Sequence, residues 1–204
     1  MQRLSEGAHG SVLFGLHYEV LDVPVAAETA CGVLQRQSRT DGMPSETFLR
    51  KGVTYSVATK EVVDCLFCRI INGKEPANFV NPLQPNPNLV AFRTINPATS
   101  THLLITPRKH IANVASLTKA EVPLLQEMKT FGLSLLSPEQ RERKPLLVFH
   151  CPPWNSIDHL HLHVIADPSH MSFFNAFFKY QPLTLWCTDV DSLINKLQQG
   201  SGGA

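Results

Sequence analysis

No uninterrupted apolar run in this 204-residue chain is long enough to cross a bilayer, so no membrane span is expected. A surplus of one charge sign is also missing, since 18 basic residues face 17 acidic ones and leave a formal charge of +1. That balance removes the broad electrostatic attraction that drives binding to long nucleic acids. A small nucleotide stays possible, because one phosphate needs only local donors. Cysteines are few and odd in number, Cys31, Cys65, Cys68, Cys151 and Cys187, and nothing upstream reads as a secretory signal peptide. A disulfide framework is therefore not expected, and a reducing intracellular compartment, cytoplasmic or nuclear, fits better.

Residues 1–60 are not acid-poor, with six basic residues against six acids, which argues against an organellar transit peptide. They also lack a sustained helical or strand period, and turn formers cluster around Ser38–Ser45. The expectation is a partly flexible extension of unknown role, dispensable for activity in a chain that starts near Asp64. The rest, 43% hydrophobic and 17% charged overall, has the composition and length of one ordinary globular domain. That domain is expected over 64–197, with a disordered Gly/Ser tail over 198–204.

Order becomes legible from Asp64. The run Cys65–Ile71 suggests a short helix ended at Asn72-Gly73. Three prolines between Asn81 and Asn88 favour a loop. Leu89–Phe92, His102–Ile105 and Leu146–Phe149 read as strands. A capping box of Thr118 and Glu121 opens the best helix, whose Leu124, Leu125, Met128, Phe131 and Leu135 form one apolar stripe. A last amphipathic segment spans Asp189–Leu197. Short turns between strands suit antiparallel pairing, and the fold class is α+β.

The most informative segment is His159-Leu160-His161-Leu162-His163, which runs into Val164-Ile165-Ala166. On a strand over 159–166 the three imidazoles would share one face at a spacing of about 7 Å, while Leu160, Leu162 and Val164 face a core. Neutral imidazole is a competent nucleophile towards activated phosphorus near neutral pH, and neighbouring imidazoles can donate to the non-bridging oxygens.

H-x-H-x-H followed by apolar residues resembles the signature of the histidine triad family of nucleotide hydrolases and transferases. The resemblance continues through Ala91–Pro97 and Thr101–Ile111 and spans about 64–197. His150-Cys151-Pro152-Pro153-Trp154-Asn155-Ser156 and the segment from Leu185-Trp186-Cys187 to Leu197 are most similar to the type-3 nucleotide-binding branch. The resemblance implies an antiparallel sheet of about five strands with one long helix and a short N-terminal helix, assembled as a homodimer. It implies His161 as nucleophile, with His163 and Ser156 contacting phosphate. Leu66, Phe67, Ile70, Phe92 and Ile95 would form an apolar slot for a purine base, although each could equally be plain core. The resemblance also puts His102 and Thr94 among the nucleotide-binding residues, and His102 would orient His161 or a neighbour, or be a satisfied core histidine.

Cys65-x-x-Cys68 is half of a tetrahedral site. In zinc-containing members of the family the other ligands correspond to His110 and His159, so a structural zinc is implied; two buried thiols beside a surface histidine are the alternative. The implied activity is hydrolysis of purine nucleoside 5′-phosphoramidates through a covalent nucleotidyl-histidine. Alternatives are aprataxin-like removal of adenylate from DNA ends, dinucleoside polyphosphate hydrolysis, and a zinc-stabilised nucleotide-binding module without turnover. One departure stands out, because family members carry aspartate at Thr94 to accept both ribose hydroxyls, and threonine is a weaker, neutral partner. Thr94→Asp is expected to tighten binding of adenosine monophosphate in a calorimetric titration. Unchanged affinity would show that the ribose is held elsewhere.

Overall fold

The computed structural model describes residues 46–80 and 86–200. Expectations for 1–45, for the proline-rich 81–85 and for 201–204 fall outside these residues.

Two antiparallel sheets carry the chain. The larger contains β4 (Leu89–Arg93), β5 (His102–Pro107), β6 (Leu146–His150), β7 (Leu162–Ile165) and β8 (Cys187–Asp189), in the order β4-β5-β7-β6-β8. Every pairing in it is antiparallel, with Leu104 and Val148 both opposite His163. β7 is therefore hydrogen-bonded on both sides at the centre of the sheet. α2 (Val122–Ser134) and α4 (Val190–Gln198) cover one face. The capping box of Thr118 and Glu121 is present, and it caps a 3₁₀ turn at Lys119–Glu121 that leads directly into α2. Leu125, Met128 and Phe131 bury the helical stripe against Ile105, Leu162 and Val164. Leu124 and Leu135 sit at the margin of that core. Gly132 lets α2 come this close, because a Cβ there would lie 2.8 Å from Val164 Cγ2. A short helix, α3 (Pro138–Glu142), precedes β6.

The other face of the sheet is covered by α1 (Leu66–Ile71), which ends as expected at Asn72 with Gly73 in the left-handed region. Phe67 and Ile70 of this helix pack with Val90, Phe92 and Leu104. Alternation along β4 thus sends Leu89 and Ala91 to the α2 side and Val90 and Phe92 to the α1 side. Gln198, expected in the tail, is the last residue of α4.

The N-terminal boundary differs from expectation. β1 (Thr47–Arg50) and β2 (Val53–Ser56) form a hairpin that pairs with β3 (Val62–Cys65) in a second, three-stranded sheet. Its turn holds Lys51 and Gly52 both at positive φ, the condition for a tight two-residue hairpin. These strands escape pattern reading because each is four residues long and β1 is exposed throughout. The hairpin is tied to the segment before the triad. Asp158 is 1% exposed, and its carboxylate accepts from Tyr55 Oη (2.7 Å), Arg50 Nε (2.7 Å) and Asn113 Nδ2 (2.5 Å). The Asp158 amide donates to the Lys51 carbonyl at 2.8 Å. Burial pushes this carboxyl up, but the donors overcome it and its pKa ends below the ordinary aspartate value.

A chain beginning at Asp64 loses Arg50 and Tyr55 together and leaves a buried carboxylate short of partners. Truncation there is expected to cost about 3–5 kcal/mol in urea unfolding or to prevent folding, and Tyr55→Phe alone about 1 kcal/mol. An unchanged denaturation midpoint for the truncated chain would contradict this role of the hairpin.

Candidate active site

The triad strand is shorter than expected. Only Leu162–Ile165 is paired strand, whereas His159, Leu160 and His161 precede it without ladder pairing and are held by other bonds. The Leu160 amide donates to the Ile111 carbonyl (2.7 Å) and Thr106 Oγ1 donates to the Leu160 carbonyl (2.9 Å). Pairing with β5 ends at Leu162 and pairing with β6 at His163. Alternation survives, with Leu160, Leu162 and Val164 in the α2-side core and the three histidines on the other side. The imidazoles do not form a solvent ridge. Their residues are 0%, 6% and 6% exposed, because the Phe67 ring of α1 packs on His159 and His161 while His102, His150 and Tyr180 surround His163.

Each buried ring has its tautomer set by a fixed neighbour. His161 Nδ1–H donates to the His159 carbonyl at 2.6 Å, so its Nε2 keeps the lone pair. Burial pushes the pKa of His161 down to about 4, which keeps the ring neutral at physiological pH. His102 accepts from the Ala98 amide at Nδ1 (3.0 Å), so its proton sits on Nε2 and is donated to His163 Nδ1 (2.9 Å). His163 must then carry its own proton on Nε2, which is buried and has no partner among the described residues. Burial holds His102 at about 4 and His163 well below the ordinary histidine value. The pair thus presents a neutral nucleophile beside a fixed N–H donor, with ring centroids 5.1 Å apart.

Both rings open into a cavity of about 650 Å³. Leu66, Phe67, Ile70, Phe92, Thr94, Ile95 and Ser156 line it, as expected from the sequence, although Ile95 is 92% exposed and sits on the rim. Thr94 Oγ1 already accepts from the Asn96 amide at 3.4 Å. His102 does not line the cavity. It stands behind His163 and orients that ring rather than His161, which corrects its expected place among the nucleotide contacts. Pro76, Ala77, Asn78, Ile157, His150, Trp154, Lys179 and Tyr180 also line the cavity. His150 and Trp154 belong to the loop that carries the resemblance, but nothing local gives them a role; Lys179 and Tyr180 have no local signal. His150 Nε2–H donates to the Lys179 carbonyl at 3.0 Å, and its ring lies 4.6 Å from His163 and stacks on Tyr180. Among the described lining residues there is no carboxylate.

His159 faces away from this cavity, towards Cys65, Cys68 and His110. One ligand atom from each of the four lies within 4.8 Å of the others. Cys65 Sγ and Cys68 Sγ are 3.5 and 3.6 Å from His159 Nδ1, and Cys68 Sγ is 3.5 Å from His110 Nδ1. His159 Nε2–H donates to the Pro107 carbonyl (3.0 Å), which leaves the Nδ1 lone pair facing the thiols. The Cys65 thiol is pushed down by its hydrogen bond with Cys68 and then by His110 and His159, whereas that pairing and burial push Cys68 up. All four described cysteines are free.

A tautomer-locked imidazole pair at the mouth of an apolar slot, carried on the central strand of a five-stranded antiparallel sheet, defines a phosphorus-directed site of the histidine triad kind. Residues 64–182 match the family model described as "Scavenger mRNA decapping enzyme C-term binding". The chain is 37% identical over 138 residues to the Xenopus tropicalis protein named "Adenosine 5'-monophosphoramidase HINT3", covering 67% of this chain and 88% of that one. Over 106 residues it is 34% identical to the Arabidopsis thaliana protein named "Bifunctional adenosine 5'-phosphosulfate phosphorylase/adenylylsulfatase HINT4", covering 51% and 70% of the two chains. A solved HIT family hydrolase from Legionella pneumophila Philadelphia 1 is 35% identical, with a TM-score of 0.45 and coverage of 50% of this chain and 91% of that one. The chain belongs to the histidine triad family.

Proposed function

We propose that the protein hydrolyses purine nucleoside 5′-phosphoramidates through a covalent nucleotidyl-histidine. The observation that carries this reading is the His161 ring, neutral, held at Nδ1 by the His159 carbonyl and offering Nε2 to the cavity beside the His163 donor. The relative at 37% identity is named for adenosine 5′-monophosphoramidase activity, which supports the same substrate class. His161 Nε2 attacks phosphorus, the P–N bond to the amine breaks, and the amine leaves with a proton. Ser156, exposed at the cavity wall, is placed to donate to the phosphoryl oxygen or the departing nitrogen. His163 Nε2–H donates to a non-bridging oxygen as its charge rises, a fixed contact needing no reorganisation. Water then attacks the adduct, the P–Nε2 bond breaks, and the nucleotide and neutral imidazole are regenerated.

The base occupies the apolar slot of Phe67, Ile70 and Phe92. With Thr94 in place of a carboxylate, the ribose contributes less to binding than the base and phosphate do. A working homodimer in a reducing compartment completes the reading, supported by family membership and by the free thiols. Among the described residues, no helix is long and apolar enough to cross a membrane.

Cys65, Cys68, His110 and His159 would hold zinc. Bonds of about 2.0–2.3 Å place tetrahedral ligand atoms roughly 3.3–3.8 Å apart, and the observed sulfur–nitrogen separations of 3.5, 3.5 and 3.6 Å fall in that range. The contribution of such an ion is structural, fixing the chain two residues before the nucleophile. Cys68→Ser is expected to reduce zinc from about one ion per chain to a small fraction in elemental analysis. Equal zinc in both proteins would refute this ligand set.

Rapid-quench single turnover with radiolabelled adenosine phosphoramidate tests the chemistry. Wild type should trap a labelled protein adduct, and His161→Ala should form none and lose about 10³-fold or more in kcat. Tight binding without adduct in wild type would leave a binding module instead.

A further inference from the structure

The connection from β7 to β8 contains a helical turn that is amphipathic in the reverse sense. Phe173, Phe174, Phe177 and Phe178 are each more than half exposed, whereas Asn175 and Ala176 between them take the more buried side. The rings form one outward cluster at i, i+4 spacing, with the Phe173 and Phe177 centroids 4.7 Å apart and Phe174 stacked on Phe178 at 5.7 Å. None of the four lines the cavity. The turn is nonetheless fixed: the Ala176 amide donates to the Ser172 carbonyl and the Tyr180 amide to the Asn175 carbonyl, each at 2.9 Å. At its end the Lys179 carbonyl accepts from His150, and the Tyr180 ring is buried against those of His150 and His163. The exposure of the four rings is therefore built into the turn.

Four phenylalanines exposed to this extent present on the order of 500 Å² of surface, and Leu183 and Leu185, each more than three-quarters exposed in the same connection, bring the apolar area to roughly 800 Å². That exceeds the largest patch usual on a monomer and matches the area, about 800 Å², that each partner contributes to a standard dimer interface. From Pro168 to Trp186 no Asp, Glu, Lys or Arg is exposed. Aromatic enrichment with charge depletion characterises the core of a protein–protein interface. A segment that lies on lipid carries exposed Lys or Arg beside its apolar face, and this one does not. Uncharged and apolar, the face is complementary to itself about a two-fold axis. The edges of the large sheet offer a second copy less. Phe79 bridges β4 at Phe92 and the Val80 amide donates to the Ala91 carbonyl, while β8 is three residues long and its Cys187 carbonyl accepts from Thr184.

We infer that two copies of this chain associate through the aromatic β7–β8 turn, with Phe173, Phe174, Phe177 and Phe178 of one copy packing on the same residues of the other. The inference rests on the homodimer reading above and names its surface. Because the turn ends in Lys179 and Tyr180, which line the cavity, the interface and the triad site share one structural element.

Sedimentation equilibrium of the full chain at about 1–100 µM tests the surface. Wild type is expected as a two-chain species that half-dissociates at or below about 10 µM. Phe174→Ser/Phe177→Ser is expected to weaken association about 100-fold or more, since centrally buried aromatic side chains dominate such interfaces. Phe173→Ser/Phe178→Ser repeats the loss through different positions, and Leu49→Ser, which removes an exposed apolar side chain from β1, stays dimeric. A wild type that is monomeric throughout, a dimer kept by both phenylalanine variants, or one lost equally in Leu49→Ser would overturn the inference. So would a monomer that co-sediments with phosphatidylcholine–phosphatidylserine vesicles and ceases to do so in the phenylalanine variants, which assigns the face to lipid. No substrate enters the measurement, so failure here leaves the hydrolase reading in place. A dimer kept by both phenylalanine variants retains the homodimer and rejects this surface.

Discussion

A buried neutral imidazole has one N–H and one lone pair, and leaving either without a partner is costly. That constraint organises the site. His159 commits its proton to the Pro107 carbonyl, His161 to the His159 carbonyl and His102 to His163, while the Ala98 amide occupies the remaining lone pair of His102. After these bonds are made, two atoms are free on the cavity side: the lone pair of His161 and the proton of His163. Nucleophile and donor are distinguished by backbone groups around chemically identical side chains. The arrangement needs a rigid frame, which the central position of β7 supplies through strands on both sides and α2 pressed against Val164 at Gly132.

How much of this could be read in the sequence follows from how local each signal is. The alternation of His159, His161 and His163, the Cys65-x-x-Cys68 pair, the apolar stripe of α2 and the capping box at Thr118 are encoded within a few residues, and all were legible. Placing His110 beside the thiols needed family resemblance, because 42 residues separate it from Cys68. The hairpin could not be read, since the residues of β1 are all exposed and show no alternation. The partners of Asp158 were invisible for another reason: Arg50 is 108 residues away, and only tertiary packing brings them together. His102 is legible as an aid to the triad, but which ring it serves is decided by strand register, which sets it beside His163.

The cavity combines strict definition at phosphorus with weaker definition at the sugar. Its phosphate end is built from buried groups with fixed protons, whereas Thr94 offers a single hydroxyl that already accepts from a backbone amide. The apolar part of the cavity wall is built from Phe67, Ile70, Phe92 and Leu104.

The bond between Arg50 and Asp158 also bears on how the chain acquires its chemistry during synthesis. A nascent polypeptide that has emerged through α2 already contains the hairpin, α1 and the floor of the slot, yet Asp158 has not been made. Arg50 and Tyr55 must wait 108 and 103 residues, and Asn113 45 residues, for the carboxylate they enclose. Such contacts close late because their loops are long. His161, three residues beyond Asp158, thus follows directly on the stretch of chain that ties down the N-terminal hairpin.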